Sequence, residues 1–276
     1  MRADNSQNKL KNMKITIIGA GNMGGAIACG LAKSSAANAC EITCSDRSKE
    51  ALEKVSRANP SIRTVSDNKK AVQDADIVLI AVKPWLTGEV VNEIKAGLDY
   101  RRQTVISIVA GVTFAQLTHF LEKEGEEPPV LFRLIPNTAV SVQGSMTFIA
   151  AQGASPQQTE AVALMFNALG ATLTVDERLM GAGTALASCG IAYAFRYIRA
   201  ATEGGVELGF YPEQAKDIVL QTLKGAVALL EANGSHPEAE IDRVSTPGGI
   251  TIRGLNEMEQ AGFTSAVIRG LKASCK

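Results

Sequence analysis

The stretch that constrains this chain most is Ile15-Thr16-Ile17-Ile18-Gly19-Ala20-Gly21-Asn22-Met23-Gly24. It reads as a short apolar strand, a glycine turn and the first turn of a helix. The spacing Gly19-x-Gly21-x-x-Gly24 is that of a dinucleotide pyrophosphate turn. The first glycine makes the tight turn, the second lets the backbone approach the phosphates, and the third lets helix and strand pack closely. The helix start adds unpaired N–H groups that face an anion. Taken alone, such a turn is a weak signal, and the rest of the chain has to support it.

The following segments alternate between strand and helix. Asn22 to about Lys33 reads as a helix with Ile27 and Leu31 facing inward, and Glu41–Ser45 as the second strand. Asp46 closes that strand about 20 residues beyond the glycine turn, near the ribose-contacting position of the fold. Asp76-Ile77-Val78-Leu79-Ile80-Ala81-Val82 is a continuous apolar run, as expected of a strand buried on both faces. Lys83-Pro84 ends it. Further strands are expected at Thr104–Val109, Val130–Ile135, Met146–Ala151 and Ala171–Val175, with a helix from Pro156 to about Leu169 closed by Gly170. This alternation predicts a Rossmann-type doubly wound parallel sheet with helices on both faces.

After Asp176 no convincing strand remains. Residues 177–208 are rich in alanine and glycine with an apolar period near that of a helix. Further helices are expected at about 213–232 and from about Gly249 to Ala273. The expected organisation is a disordered leader over 1–12, a dinucleotide-binding α/β domain over 13–175, and an all-helical domain over 176–276. So small and apolar a bundle suits burial against a second subunit, although ordinary packing within the chain is the alternative. The small residues Gly181, Ala182, Gly183, Ala185, Ala187, Ser188, Gly190 and Ala192 permit close helix approach.

Composition excludes several function classes. The 28 basic and 28 acidic residues balance, so nothing resembles a nucleic-acid surface. No apolar run reaches the roughly 18 residues of a membrane helix. The five cysteines are scattered without a C-x-x-C pair, which fits reduced thiols in a cytoplasmic protein. With two histidines far apart, a histidine-rich metal site is excluded.

Four loops fall at the carboxyl ends of expected parallel strands, where open α/β sheets bind ligands. They are the Gly19 turn, Ser45-Asp46-Arg47-Ser48, Val82-Lys83-Pro84 and Val109-Ala110-Gly111. The second loop points both ways on the cofactor. Asp46 would accept from a ribose and repel a 2′-phosphate, favouring NAD. Arg47 with Ser45 and Ser48 would hold that phosphate, favouring NADP. In the helical part, Ser245-Thr246-Pro247-Gly248-Gly249-Ile250-Thr251 is a turn leading into a helix. Its free N–H groups suit a carboxylate, and the Thr251 hydroxyl can face a ligand; the plainer alternative is a simple helix cap.

These residues together resemble the pyrroline-5-carboxylate reductase family over Met13–Cys275. The carriers are Ile18–Gly24, Ala81-Val82-Lys83-Pro84, Ala110-Gly111-Val112-Thr113, Arg133-Leu134-Ile135-Pro136-Asn137-Thr138, His236-Pro237 and Pro247-Gly248-Gly249-Ile250-Thr251-Ile252. The resemblance implies reduction of 1-pyrroline-5-carboxylate to L-proline by NADPH, with NADH as the other candidate. It also implies a homodimer, in some members a ring of dimers, with the active site where the nicotinamide meets the helical domains. Beside Gly19, Ala20, Gly21, Asn22, Met23, Gly24, Ser45 and Arg47, which the loops above already lead us to expect at the cofactor, the resemblance implies further contacts. Asn68 would contact the adenosine side, and Val82, Lys83, Pro84, Ala110 and Gly111 would line the nicotinamide half. Gly248, Gly249, Ile250 and Thr251 would hold the substrate carboxylate, with the Thr251 hydroxyl near the ring nitrogen. The sequence departs from the family at Ile135, where methionine is usual, and at Ala139, where proline is usual. It also departs at Ala187–Tyr193, where the usual Gly-Ser-Gly-Pro-Ala-Tyr loses its proline at Ile191.

Two rivals share features with this reading. A β-hydroxyacid dehydrogenase has a similar glycine turn but needs a base, normally a lysine on the first long helix. No lysine occurs between Asp176 and Ala201. A nucleotide-sensing module without turnover leaves the Pro247–Thr251 loop unexplained.

Overall fold

The computed structural model describes residues 12–34 and 40–275. The segment 1–12 read as a leader lies outside them, apart from its last residue. The chain divides into two compact units, Met1–Ser188 and Cys189–Lys276.

The first unit is built on one eight-stranded sheet of order β3-β2-β1-β4-β5-β6-β7-β8. The strands are β1 (Lys14–Ile18), β2 (Glu41–Ser45), β3 (Arg63–Val65), β4 (Ile77–Ile80), β5 (Thr104–Ser107), β6 (Val130–Ile135), β7 (Ser145–Gln152) and β8 (Gly170–Thr174). Its first six strands follow the classic dinucleotide-binding order, which reverses direction between β1 and β4. The register pairs Ile18 with both Ser45 and Ile80, so the chain leaves β1, β2 and β4 at one level.

Both faces of the sheet are covered. Ile15, Ile17 and Leu79 pack with Ile27, Leu31 and Phe166 on one side. Ile18, Val78 and Ile80 pack with Val91, Ile94 and Leu117 on the other. This explains the unbroken apolar run of β4, whose four residues are all buried. The helix after the glycine turn, α1, spans Asn22–Lys33 as its apolar period requires. Asp67 caps the helix Asn68–Val72 through Lys70 N, and Thr113 forms a capping box with Gln116.

The sheet differs from the expected all-parallel form at one junction. β7 runs antiparallel to β6, pairing Leu131 with Gln152 and Ile135 with Phe148. Only residues 136–144 link the two strands. A parallel return needs a crossover of roughly a dozen residues or more, so this short link forces the reversal. Gly170 also plays a different part from the helix closure expected of it. The helix Pro156–Asn167 ends earlier, and Gly170 opens β8 with φ +142°. A Cβ there would lie 2.1 Å from the Ser145 carbonyl oxygen, so the position serves close strand approach.

The small residues after Met180 serve the sheet as well. A Cβ on Gly183 would meet the Phe148 ring at 2.8 Å, and Met180 and Ala185 are buried. Residues Thr184–Cys189 form a π-helical turn that the sequence pattern did not announce.

The second unit is helical: Gly190–Glu207, Pro212–Asn233, Pro237–Arg243, Ile250–Gln260 and Phe263–Ser274. The expected last helix is broken by Gly262, which takes φ +81°. Between the two expected helical regions, Pro237–Arg243 forms a further short helix, started by Pro237 and capped by His236. Gly205 lets the first two helices of this unit approach closely, since a Cβ there would be 2.9 Å from that of Ala215. Ala215 is the one buried residue among the described residues 189–275.

Candidate functional site

The glycine turn is positioned by bonds to both neighbouring strands. Gly19 N–H donates to the Ser45 carbonyl at 2.8 Å, and Ala81 N–H donates to the Ile18 carbonyl at 2.8 Å. Gly19 takes φ +103°, and a Cβ on it would lie 2.4 Å from Ala81 O. On Gly24 a Cβ would lie 1.9 Å from Gly19 O, so helix and turn touch through their backbones. Gly21 differs: a Cβ there would meet nothing within 4 Å. The space beside it is open, as a pyrophosphate cradle requires. No side chain caps α1, so its first N–H groups lack helical partners and face that space.

This open face belongs to a cleft of about 780 Å³ along the carboxyl ends of the strands. Gly19, Gly21, Asn22 and Met23 line one part of it. Ser45, Arg47 and Asn68 line another. Val82, Lys83, Pro84 and Ala110 form a further wall. Three expected residues stand behind the lining. Ala20 is buried and donates its N–H to Asp46, Gly24 is packed on Gly19, and Gly111 shapes its turn with φ +78°. The cleft volume falls within the roughly 300–1,000 Å³ of small-molecule sites. A second cavity of about 450 Å³ lies at the opposite strand edge, near Lys14 and Arg63. It has no glycine turn, and open α/β sheets bind at the carboxyl edge.

The loop after β2 resolves the opposing roles of Asp46 and Arg47. Both carboxylate oxygens of Asp46 accept backbone bonds, Oδ2 from Ala20 N at 2.7 Å and Oδ1 from Ser48 N at 2.8 Å. Asp46 therefore ties the β2 loop to the glycine turn. Arg47 Nη2 lies 2.7 Å from Glu89 Oε1 and 3.3 Å from Glu93 Oε2. Hydrogen bonds from Arg47 to Glu89 and then Glu93 push the guanidinium pKa further up from its ordinary value. Buried Ser45 donates to Asn68 Oδ1 at 2.7 Å, and Asn68 Nδ2 donates to Glu93 at 3.2 Å.

Sequence reasoning missed Glu89 and Glu93, which sit one helical turn apart on the helix Thr87–Ile94. Their spacing was a readable signal, but the partner, Arg47, is more than 40 positions away. It also missed Thr184 and Ser188, which reach the cleft from the π-helical turn. The Arg133 of the Arg-x-x-Pro-Asn-Thr stretch is structural. Its Nη1 bonds Glu177 Oε1 at 2.6 Å, and the same oxygen accepts Phe114 N–H at 2.7 Å.

Gly248, Gly249, Ile250 and Thr251 lie in the second unit, at the start of the helix Ile250–Gln260. Gly248 takes φ +70°, which a glycine supplies. Gly249 N–H is already donated to the Thr246 carbonyl at 2.9 Å, leaving the first-turn N–H groups of Ile250 and Thr251 as donors. Ser245 Oγ, beside this turn, is buried without a hydrogen-bond partner. Among the described residues no cluster of three or more His, Cys, Asp or Glu is placed to hold a metal. Nor is any described helix long and apolar enough to cross a membrane.

A glycine turn opening on a cleft at the sheet's switch point, followed by an all-helical unit, defines a nicotinamide-dinucleotide oxidoreductase. Residues 14–111 match the family model "NADP oxidoreductase coenzyme F420-dependent", and 177–276 match "Pyrroline-5-carboxylate reductase dimerisation". Pyrroline-5-carboxylate reductase 2 of Dictyostelium discoideum is 37% identical over 97% of this chain and 93% of that protein. Pyrroline-5-carboxylate reductase 1 of the same organism is 37% identical over 96% of this chain, which spans about half, 49%, of that longer protein. The Plasmodium falciparum pyrroline carboxylate reductase, solved with NADP bound, is 28% identical with a TM-score of 0.84 over 96% of both chains. The Coxiella burnetii pyrroline-5-carboxylate reductase is 27% identical with a TM-score of 0.86, covering 96% of this chain and 97% of that one. The chain belongs to the pyrroline-5-carboxylate reductase family.

Proposed function

We propose that this chain reduces 1-pyrroline-5-carboxylate to L-proline with NADPH, NADH being the alternative, as the last step of proline synthesis. The observation that carries the cofactor half is the open face at Gly21, set against an uncapped helix start inside the cleft. The names of the relatives supply the substrate.

In this reading the N–H groups at Gly21–Gly24 hold the pyrophosphate, with Ala20 keeping the turn tied to Asp46. Ser45, Arg47 and Asn68 take the adenosine end. Val82, Lys83, Pro84, Ala110 and Gly111 wall the nicotinamide end. Bound NAD(P)H supplies the hydride. The cyclic imine is basic enough to be protonated near neutral pH, so its imine carbon is already electrophilic and catalysis is mostly positioning. The hydride ends on that carbon, and the proton stays on the ring nitrogen.

The Pro247–Thr251 loop holds the substrate carboxylate through Ile250 and Thr251 N–H, with Gly248 and Gly249 shaping the turn. The unpartnered Ser245 Oγ beside it supports a polar ligand there. Thr251 Oγ orients the ring nitrogen. The family's dimerisation segment supports an oligomer, and we place the protein in the cytoplasm as a homodimer, with a ring of dimers as the further assembly. It needs neither nucleic acid nor membrane.

Thr251→Ala should lower kcat/KM for the imine by one to two orders of magnitude, about what one lost polar contact costs. Cofactor affinity should stay unchanged. Wild-type kinetics in that variant would remove Thr251 from the mechanism.

A further inference from the structure

The adenosine end of the cleft carries two carboxylates that the proposed reaction does not use. Glu89 and Glu93 both hold Arg47, at 2.7 and 3.3 Å. Glu89 lines the cleft beside Arg47. Asp46, in the loop after β2, also lines the cleft, but each of its carboxylate oxygens already accepts a backbone N–H. Arg47 is therefore the guanidinium at hand for a ribose 2′-phosphate, and it arrives already occupied.

We propose that Glu89 and Glu93 are cofactor-specificity residues, which compete with the 2′-phosphate for Arg47 and so narrow the preference for NADPH over NADH. The inference rests on the assignment of this cleft to a nicotinamide dinucleotide. Binding NADPH requires Arg47 to exchange carboxylates for phosphate, and it leaves those carboxylates near a group of charge about −2. Binding NADH requires neither. The exchange is possible because the clamp is weak. Arg47 and Glu89 have side chains 65% and 54% exposed, and exposed ion pairs contribute little. Glu93 is less accessible and also receives Asn68, so it anchors the network while Glu89 is the member free to yield.

The test is a fluorescence titration of the full-length protein with NADPH and with NADH at fixed ionic strength. The nicotinamide emission is the readout, with quenching of the single tryptophan, Trp85 next to Pro84, as a second signal. Glu89→Gln should tighten NADPH three- to tenfold, about 0.6–1.4 kcal/mol, and leave NADH within twofold. In an Arg47→Gln background the benefit of Glu89→Gln to NADPH should shrink to under threefold, since nothing is then released to bind the phosphate. An unchanged ratio of the two dissociation constants in Glu89→Gln, with both cofactors still bound, would overturn the specificity role alone. If the wild type bound neither cofactor, this inference and the assignment of the cleft would fall together.

Discussion

The two units of this chain stand at opposite extremes of self-sufficiency. The first buries Ile15, Ile17, Leu79, Phe132 and Phe166 in a sheet covered on both faces. In the second, Ala215 is the one buried residue among those described, while Phe195, Tyr211, Ile218, Leu229 and Ile250 lie largely exposed. Exposed apolar area of that extent marks an interaction surface. A domain that keeps its core inside can present a preformed cleft. One that exposes its apolar side chains obtains its core from a partner, and the family's dimerisation segment coincides with this unit.

The largest effect should come from breaking the exposed side of this contrast. Ile218→Asp combined with Leu229→Asp places charge on the long helix Pro212–Asn233. The variant should run as a monomer in light scattering, and reductase activity should fall at least about tenfold, because obligate oligomers lose stability with assembly. A dimer of unchanged activity would mean that this face is not the one covered.

Within the first unit, the three glycines of the turn sharpen the comparison between structure and ligand. Gly24→Ala forces a Cβ to within 1.9 Å of a carbonyl oxygen, so both melting temperature and cofactor affinity should fall. Gly21→Val fills open space and should leave the melting temperature within a few degrees. It should weaken both NADPH and NADH at least about tenfold, as a lost phosphate approach demands. Equal melting losses for the two variants would refute the division of roles.

A smaller effect is expected at the ion pair between Arg133 of β6 and Glu177. Arg133 is only 9% exposed at its side chain, and Glu177 also accepts the Phe114 N–H. Glu177→Ala should destabilise the first unit by about 2–3 kcal/mol, because it strands a buried guanidinium. Denaturant unfolding measures this, and cofactor binding should change little.

Much of the first unit was legible in the sequence because its signals are local. The run Ile77–Ile80 has to be buried on both faces, and Gly19, Gly21 and Gly24 prescribe a turn between strand and helix. The loops at the strand ends then converge by topology alone. What escaped depends on contacts distant in sequence or on link length. The reversal of β7 follows from the brevity of 136–144, and Gly170 is set by its packing on Ser145. Asp46 and Arg47 could not be ranked until the partners Ala20, Ser48, Glu89 and Glu93 were in place. The π-helical turn at Thr184–Cys189 has no period that distinguishes it from ordinary helix.

The most direct test mixes the purified protein with NADPH and 1-pyrroline-5-carboxylate, following nicotinamide absorbance and proline formed. The account predicts one proline for each NADPH oxidised, with 3-hydroxy acids plus NAD⁺ inert. Tight cofactor binding without oxidation by the imine would contradict it.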